Sequence, residues 1–484
     1  MGLLGILVGL GLLMWLAFRG WSVLLLAPAA ALVAAVFGGQ PLLASWTQIF
    51  MGSAASFLAQ FFPLFLLGAL FGKLMDDSGS VLAVSDYMTS RLGKDRAILA
   101  VVLAGAIVTY GGVSLFVAFF VLAPMAQALF RAAGIPGRLM PAAIILGTST
   151  FTMSALPGTP SIQNAIPMPF FGTSPFAAPG LGIIASLIML GFGLWWLRRA
   201  ETAARRRGEG YGAETPVGSD AAADDELVRE RATTAREFDP AEIHRGHHSD
   251  AAPSIIVAAL PLIVVVAVNF LMSFFVLRRL DFSFLAEERW GGTSITGVAG
   301  VWSVVVALAA AILTVVVFNR RRMPLLRQSM DAGANASVLP ALTVASLVGF
   351  GAVVAALPAF AIVRDWVLGI EGGPLVSMAL ATNVLAALTG SASGGLTIAL
   401  DALGQTYMEV AAQTGLSPAL MHRVAVIGSG SLDTLPHNGA IVTLLAVCGK
   451  THRESYLDIV MTGIVTAILA LIAVIALGTI FGSF

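Results

Sequence analysis

Two ionisable side chains flank a Leu-Pro break in an otherwise apolar stretch: Asp433 and His437, on either side of Leu435-Pro436. At the centre of a bilayer such a group costs roughly 2.5–3.5 kcal/mol or more and is functional by default. Burial disfavours the charged form of both side chains and moves them toward proton exchange. Asp401 is a third candidate for that role. Two plainer readings stand beside these. Asp433 could pair with Arg423 or cap the restarted helix, and Asp401 with Glu409 could form a polar helix face. Around the charged residues lie hydroxyls, amides and glycines suited to a carboxylate and a hydroxyl. The earlier set is Gly111, Gly112, Ser114, Ser154, Gly158, Thr159, Ser161, Gln163 and Asn164. The later set is Ser391, Ser393, Gly394, Gly395, Thr397, Ser429, Ser431, Thr434 and Asn438. These residues are the expected substrate-binding groups. Asp433, His437 and Asp401 are the expected proton-coupling groups.

The two sets fall in sequence that repeats. GIPGRLMPAAIILGTSTFTMSALPG begins at Gly134, and GLSPALMHRVAVIGSGSLDTLPHNG begins 281 positions later, at Gly415. The register holds through Gly147 and Gly428. A two-residue slip then aligns Leu156-Pro157 with Leu435-Pro436. A glycine-rich bend precedes each copy. Duplicated halves with Gly/Pro-interrupted apolar segments at matching places are the sign of a secondary transporter, and the interruptions mark its binding site. The alternative for any single Gly or Ser is close helix packing. Packing alone does not account for the doubled Leu-Pro breaks.

The elements that must hold these residues are membrane helices. The chain is 57% hydrophobic and 11% charged, against roughly 25% charged for a soluble protein. The expected fold is an all-α polytopic membrane protein built from two inverted-topology repeats. Residues 1–197 form the first, with helices near 2–18, 21–38 and 55–73, a re-entrant hairpin at about 97–131, a broken helix at about 138–166 and a spanning helix at about 178–197. Residues 253–484 form the second, with helices near 253–277, 295–318 and 337–363, a hairpin at about 374–413, a broken helix at about 418–448 and a last helix at about 456–482. Met1–Phe18 lacks a basic n-region and reads as a membrane helix, not a signal peptide.

Between the halves, residues 198–252 are hydrophilic and poor in large apolar residues, which predicts a flexible or partly helical linker. Arg198-Arg199 and Arg205-Arg206-Arg207 place it in the cytoplasm by the positive-inside rule, and Arg320-Arg321-Arg322 marks a second cytoplasmic loop. Lys94, Arg96, Arg131 and Arg138 bring the first hairpin in from the same side. Five full crossings per half then put both termini and the second hairpin on the outer side. Arg278, Arg279 and Arg423 also fall there. His244, His247 and His248 lie in the linker as incidental polar sequence, not as a metal site.

Non-helical backbone at membrane depth must line a protected cavity. Each bend and each break starts a helix, so four helix N-termini can converge. Each carries about half a positive charge and free N–H groups, an arrangement that favours a small anion. In particular, Ser114, Thr159, Ser393 and Thr434 are expected on one cavity. No cofactor is expected beyond a coupling ion, a proton or alternatively Na⁺, for which backbone carbonyls at such breaks are also suited. Zero net charge without a basic stripe argues against nucleic acid. The single cysteine, Cys448, excludes an intrachain disulfide and a Cys-rich metal site. An intramembrane enzyme is the rival class, but no metalloprotease spacing, Ser/His dyad on a helix or nucleotide-binding loop is present.

The segments FLLGALFGKLMDDSG (Phe65–Gly79), SRLGKDRAILAVVLAG (Ser90–Gly105) and GLSPALM…GSGS (Gly415–Ser431) resemble the gluconate permease family. These are bacterial inner-membrane symporters of the ion-transporter superfamily. The resemblance runs over most of the chain apart from the linker. It implies proton-coupled uptake of small hydroxy- or amino-acids such as gluconate, D-serine or 3-hydroxybutyrate. It also implies a scaffold and a transport domain, a homodimer and elevator-like motion. The chain departs from the gluconate members where substrate should touch. A Pro-Pro-His-Pro-Gly-Pro type of break is here Ala155-Leu156-Pro157-Gly158-Thr159-Pro160. A His-Val-Asn-Asp-Pro type of stretch is here Asp433-Thr434-Leu435-Pro436-His437-Asn438. The less polar first break fits a smaller monocarboxylate, such as 3-hydroxybutyrate or lactate.

Overall fold

Apolar runs that cannot give their backbone groups to water must close those hydrogen bonds internally, as helices. The computed structural model describes residues 2–19, 21–212, 249, 252–436 and 438–484, and among these it has helices and no strand. Among the described residues six helical stretches are long and apolar enough to cross a membrane: Leu42–Asp77, Pro179–Arg206, Ile255–Val276, Glu288–Arg322, Leu326–Ala355 and His452–Phe481.

The first half contains α1 (Gly2–Phe18), α2 (Val23–Phe37), α3 (Met51–Asp77), α4 (Ser80–Leu92), α5 (Ala97–Tyr110) and α6 (Leu115–Ala133). It continues with the short pieces α7 (Met140–Thr148), α8 (Phe151–Ser154), α9 (Ile162–Ala165) and α10 (Pro167–Phe171), and then α11 (Pro179–Arg206). The second half contains α12 (Ile255–Leu271), α13 (Ile295–Asn319), α14 (Leu326–Ala355), α15 (Phe360–Leu368), α16 (Pro374–Thr389) and α17 (Ala392–Thr414). It ends with α18 (Pro418–Ser431), α19 (Gly439–Val447), α20 (His452–Ile459) and α21 (Thr466–Phe481).

Small residues set how these helices approach. A Cβ on Gly333 of α14 would stand 3.0 Å from Leu70 Cα of α3, and one on Gly349 would stand 2.8 Å from Phe50. α14 therefore lies directly on α3, as small residues permit in membrane bundles. The matching glycines of the repeated sequence do matching work. A Cβ on Gly147 would come within 2.4 Å of the Val102 carbonyl oxygen of α5, and one on Gly428 within 2.5 Å of Thr382 Oγ1 of α16. Each broken helix thus lies against the first arm of its own half's hairpin.

The cores interleave the halves. Ala440, Ile441, Leu444 and Leu445 of α19 are buried in one core with α5, α6 and α7. Phe151, Ala155, Ile166 and Phe171 of the first break are buried in another with α16, α17, α18 and α21. A third core joins α1, α2 and α14.

Several expectations need correction. α4 was not anticipated. It carries Asp86, Arg91 and several hydroxyls, so hydropathy hides it, yet Val81, Ala83 and Val84 are buried. α14 begins at Leu326 rather than near 337, and α15 follows it as a separate short helix. The linker, expected to be flexible or partly helical, needs no correction at its start: α11 runs on through 198–206, where Glu201 pairs with Arg205 at 2.8 Å. Residues 213–248, with His244, His247 and His248, lie outside the described residues. The second bend is at Gly390 and Ser391. Ser393, Gly394, Gly395 and Thr397 are already helical, because the Ser391 hydroxyl accepts from Gly394 N at 3.2 Å and starts α17.

Basic loops gather at one end. Arg205 donates to the Ala133 carbonyl at 3.0 Å, and Arg138 pairs with Glu209 at 2.7 Å and with Asp458. Lys450 and Arg131 both lie over the Tyr211 ring.

Candidate functional site

Both breaks open the backbone, and the protein closes most of the resulting bonds itself. In the first, the Tyr110 hydroxyl donates to the Pro157 carbonyl at 2.8 Å, and Asn269 donates to Gly158 at 3.0 Å. Asn164 donates to the Thr159 and Pro175 carbonyls, each at 3.0 Å. In the second, the Tyr456 hydroxyl donates to the Thr434 carbonyl at 3.2 Å, and His452 Nε2 lies 2.8 Å from that of Pro436. Asn438 is the pivot of this break. Its Oδ1 accepts from Ala440 N at 2.8 Å and caps α19, while its Nδ2 donates to the Gly390 carbonyl and to Asp433 Oδ1, each at 2.9 Å.

Arg423 was offered as the partner of Asp433, and it does not pair with it. It is fully buried and spends its N–H groups on carbonyls of the first half: Ala177 at 2.7 and 3.2 Å and Ser154 at 3.1 Å. Asn164 Oδ1 lies 3.4 Å from Arg423 and 3.1 Å from His422 Nε2. The two halves are therefore tied through the first break.

The breaks and bends surround one cavity of about 210 Å³. From the first bend it takes Gly112 and Ser114, and from the first break Ser154, Ser161 and Gln163. From the second bend it takes Ser391 and Ser393, and from the second break Asp433. Glycines let these pieces meet: a Cβ on Gly112 would stand 3.0 Å from the Pro160 ring, and one on Gly430 would stand 3.4 Å from Ser154 Cβ. The volume is below the roughly 300–1,000 Å³ of drug-sized sites and suits a small metabolite.

The remaining expected residues lie outside the lining. Gly111 packs on Leu262, and Gly158 on the Phe176 ring. Thr159 and Asn164 are buried behind the first break. Gly394 faces Leu347 and Gly395 faces the backbone of Ala386. Thr397, Ser429 and Ser431 return their hydroxyls to carbonyls of their own helices. Thr434 turns toward Gly463, and Asn438 reaches the cavity only through Asp433. Asp401 is exposed on α17, away from the cavity. His437 lies outside the described residues. Of the four N-termini expected to be free, three are capped by their own side chains, Ser161, Ser391 and Asn438. Only Ser114 starts its helix, α6, without a side-chain cap.

Sequence reasoning missed two walls of the cavity. Leu64, Phe65, Gly68 and Lys73 come from α3, and Ser337, Pro340 and Thr343 come from α14. The prolines inside these helices, Pro63 and Pro340, were the available signal. Gln163 Oε1 and Thr343 Oγ1 are buried and make no hydrogen bond among the described residues. No group of His, Cys, Asp and Glu able to hold a metal occurs among the described residues.

Residues 1–168 match the family described as GntP family permease. Over its whole length the chain is 40% identical to the uncharacterized transporter YxjC of Bacillus subtilis (strain 168), covering all of both chains. The chain belongs to the GntP permease family. It is thus a multi-pass membrane transporter and not an enzyme. Two solved structures share the fold at low sequence identity. The YdaH transporter of Alcanivorax borkumensis, whose topology is described as unusual, is 17% identical with a TM-score of 0.52, over 91% of this chain and 89% of that one. MtrF of Neisseria gonorrhoeae, assigned to a class of antimetabolite efflux pumps, is 14% identical with a TM-score of 0.50, over 89% and 83%.

Proposed function

We propose that this permease is a symporter that imports a small organic monocarboxylate together with protons, and that the cavity at the four breaks is its substrate site. The observation that carries the reading is that two bends and two breaks, from halves 281 positions apart in sequence, line a single cavity that also holds Asp433. Hydroxyls and the Gln163 amide stand beside aliphatic walls there. A short hydroxy acid such as 3-hydroxybutyrate or lactate meets both demands better than a fully hydroxylated gluconate-like sugar acid.

The proton is favoured over sodium. A sodium site at a break needs backbone carbonyls, and those of Pro157, Gly158, Thr159, Thr434 and Pro436 already face protein partners. Asp433, on the cavity wall, is the group assigned to carry the proton. We read the halves as inverted repeats, the hairpins α5–α6 and α16–α17 as re-entrant, and alternating access as elevator motion of a transport domain on a scaffold, in a homodimer. The basic end formed by Arg131, Arg138, Arg205 and Lys450 is placed in the cytoplasm of a bacterial inner membrane, with both termini outside.

A ligand-stabilisation screen on purified protein tests the substrate class. A ligand at a hundredfold excess over its dissociation constant adds about 2.7 kcal/mol of apparent stability. 3-Hydroxybutyrate, lactate or gluconate should raise the melting temperature. Stabilisation by none of them, or by sodium alone, would overturn the assignment.

A further inference from the structure

The cavity wall holds one basic side chain and one acidic side chain among the described residues, Lys73 and Asp433. Lys73 comes from α3, a helix that the repeat does not mark. It is 5% exposed, and its Nζ is 2.8 Å from Oδ1 of Asp77, which is fully buried one turn on. Burying such a pair costs desolvation that mutual attraction only partly returns, so a lysine on a substrate cavity needs a reason beyond stability. Its neighbour supplies the place. A Cβ on Gly72 would stand 3.2 Å from Ser114 N. α3 is thus pressed against the start of α6, whose N-terminus has no side-chain cap. A fixed ammonium and an uncapped helix N-terminus act on an anion in the same sense. Thr343 lines the same cavity, and its hydroxyl is buried with no hydrogen-bond partner among the described residues.

We propose that Lys73, together with the N-terminus of α6 at Ser114, receives the carboxylate of the transported anion, which shares the ammonium with Asp77. An ammonium has three N–H donors and can serve two carboxylates. This inference rests on the cavity being the substrate site.

The test compares binding of 3-hydroxybutyrate with binding of its uncharged amide, by thermal shift and by titration calorimetry. Wild-type protein should prefer the acid. The double variant Lys73→Gln/Asp77→Asn removes both charges of the pair. It should bind the acid about tenfold or more weakly, the order of losing one charge-assisted hydrogen bond, with the amide unchanged. A merely structural pair would move both ligands alike or neither, and that result overturns the proposal. Asp77→Asn alone keeps the ammonium and removes its competitor, so it should bind the acid more tightly. Unchanged or weaker acid binding in that variant contradicts the proposal even if the double variant does not fold. Wild-type protein that binds neither ligand, nor lactate nor gluconate, would instead refute the substrate class, and this inference with it.

Discussion

Asn438 and Asp433 form one unit across the second break: the amide donates to the carboxylate at 2.9 Å while its carbonyl oxygen caps α19. Asn438→Ala should therefore do two things. Loss of the cap costs about 0.5–2 kcal/mol, and loss of the amide leaves Asp433 held by the Ala392 backbone N–H alone, so uptake should be abolished or severely weakened in protein that still inserts. A melting curve and an uptake assay on the same preparation check both effects. Normal uptake would show that Asp433 needs no positioning.

Ser393 reports on the site without that structural burden. It lines the cavity and has only a 3.2 Å contact with Ser391 to lose. Ser393→Ala should change stability by about 1 kcal/mol or less and abolish or severely weaken uptake. Unimpaired transport at normal expression would remove this residue from the site.

Arg423 should behave in the opposite way. Its fork of N–H donors answers the carbonyls of Ala177 and Ser154, which a lysine cannot reproduce. Arg423→Lys should cost about 1–3 kcal/mol through unpaired carbonyls, without changing substrate affinity in the folded fraction. Denaturation and ligand titration together separate the two. A stable variant with weakened binding would place Arg423 in the substrate site.

The paired glycines offer a graded test of helix contact. At Gly147 the obstacle to a methyl group is the Val102 backbone oxygen at 2.4 Å, and at Gly428 it is the Thr382 side chain at 2.5 Å. Overpacking costs about 1–3 kcal/mol, and a side chain yields more readily than backbone. Gly147→Ala should lower the melting temperature more than Gly428→Ala. The reverse order would mean that the two contacts are not equivalent in the way described.

Most of the helices, the two bends and the two breaks were legible because hydropathy and Gly/Pro interruptions are local signals; the more polar α4 was not. What remained hidden depends on distant partners. Lys73 and Thr343 reach the cavity only because α14 lies on α3, a contact between residues far apart in sequence. Arg423 reads as a partner for nearby Asp433 until carbonyls more than two hundred residues away are seen to surround it. Gly394 and Gly395 read as a bend, but the Ser391 cap draws them into α17. Thr159 and Thr434 have the right chemistry for the cavity and face away from it, an orientation that sequence spacing does not encode.

The central claim is that Asp433 carries the coupling proton. One proton moving with a monoanion transfers no net charge, so uptake should follow the pH gradient and ignore the ~2.3 kcal/mol that 100 mV supplies per charge. The direct measurement is uptake and counterflow of labelled 3-hydroxybutyrate in proteoliposomes bearing wild-type or Asp433→Asn protein. The account predicts that the variant loses accumulation driven by a pH gradient yet still exchanges labelled for unlabelled substrate. Full pH-driven accumulation by Asp433→Asn, or wild-type uptake that depends on sodium and not on pH, would contradict it.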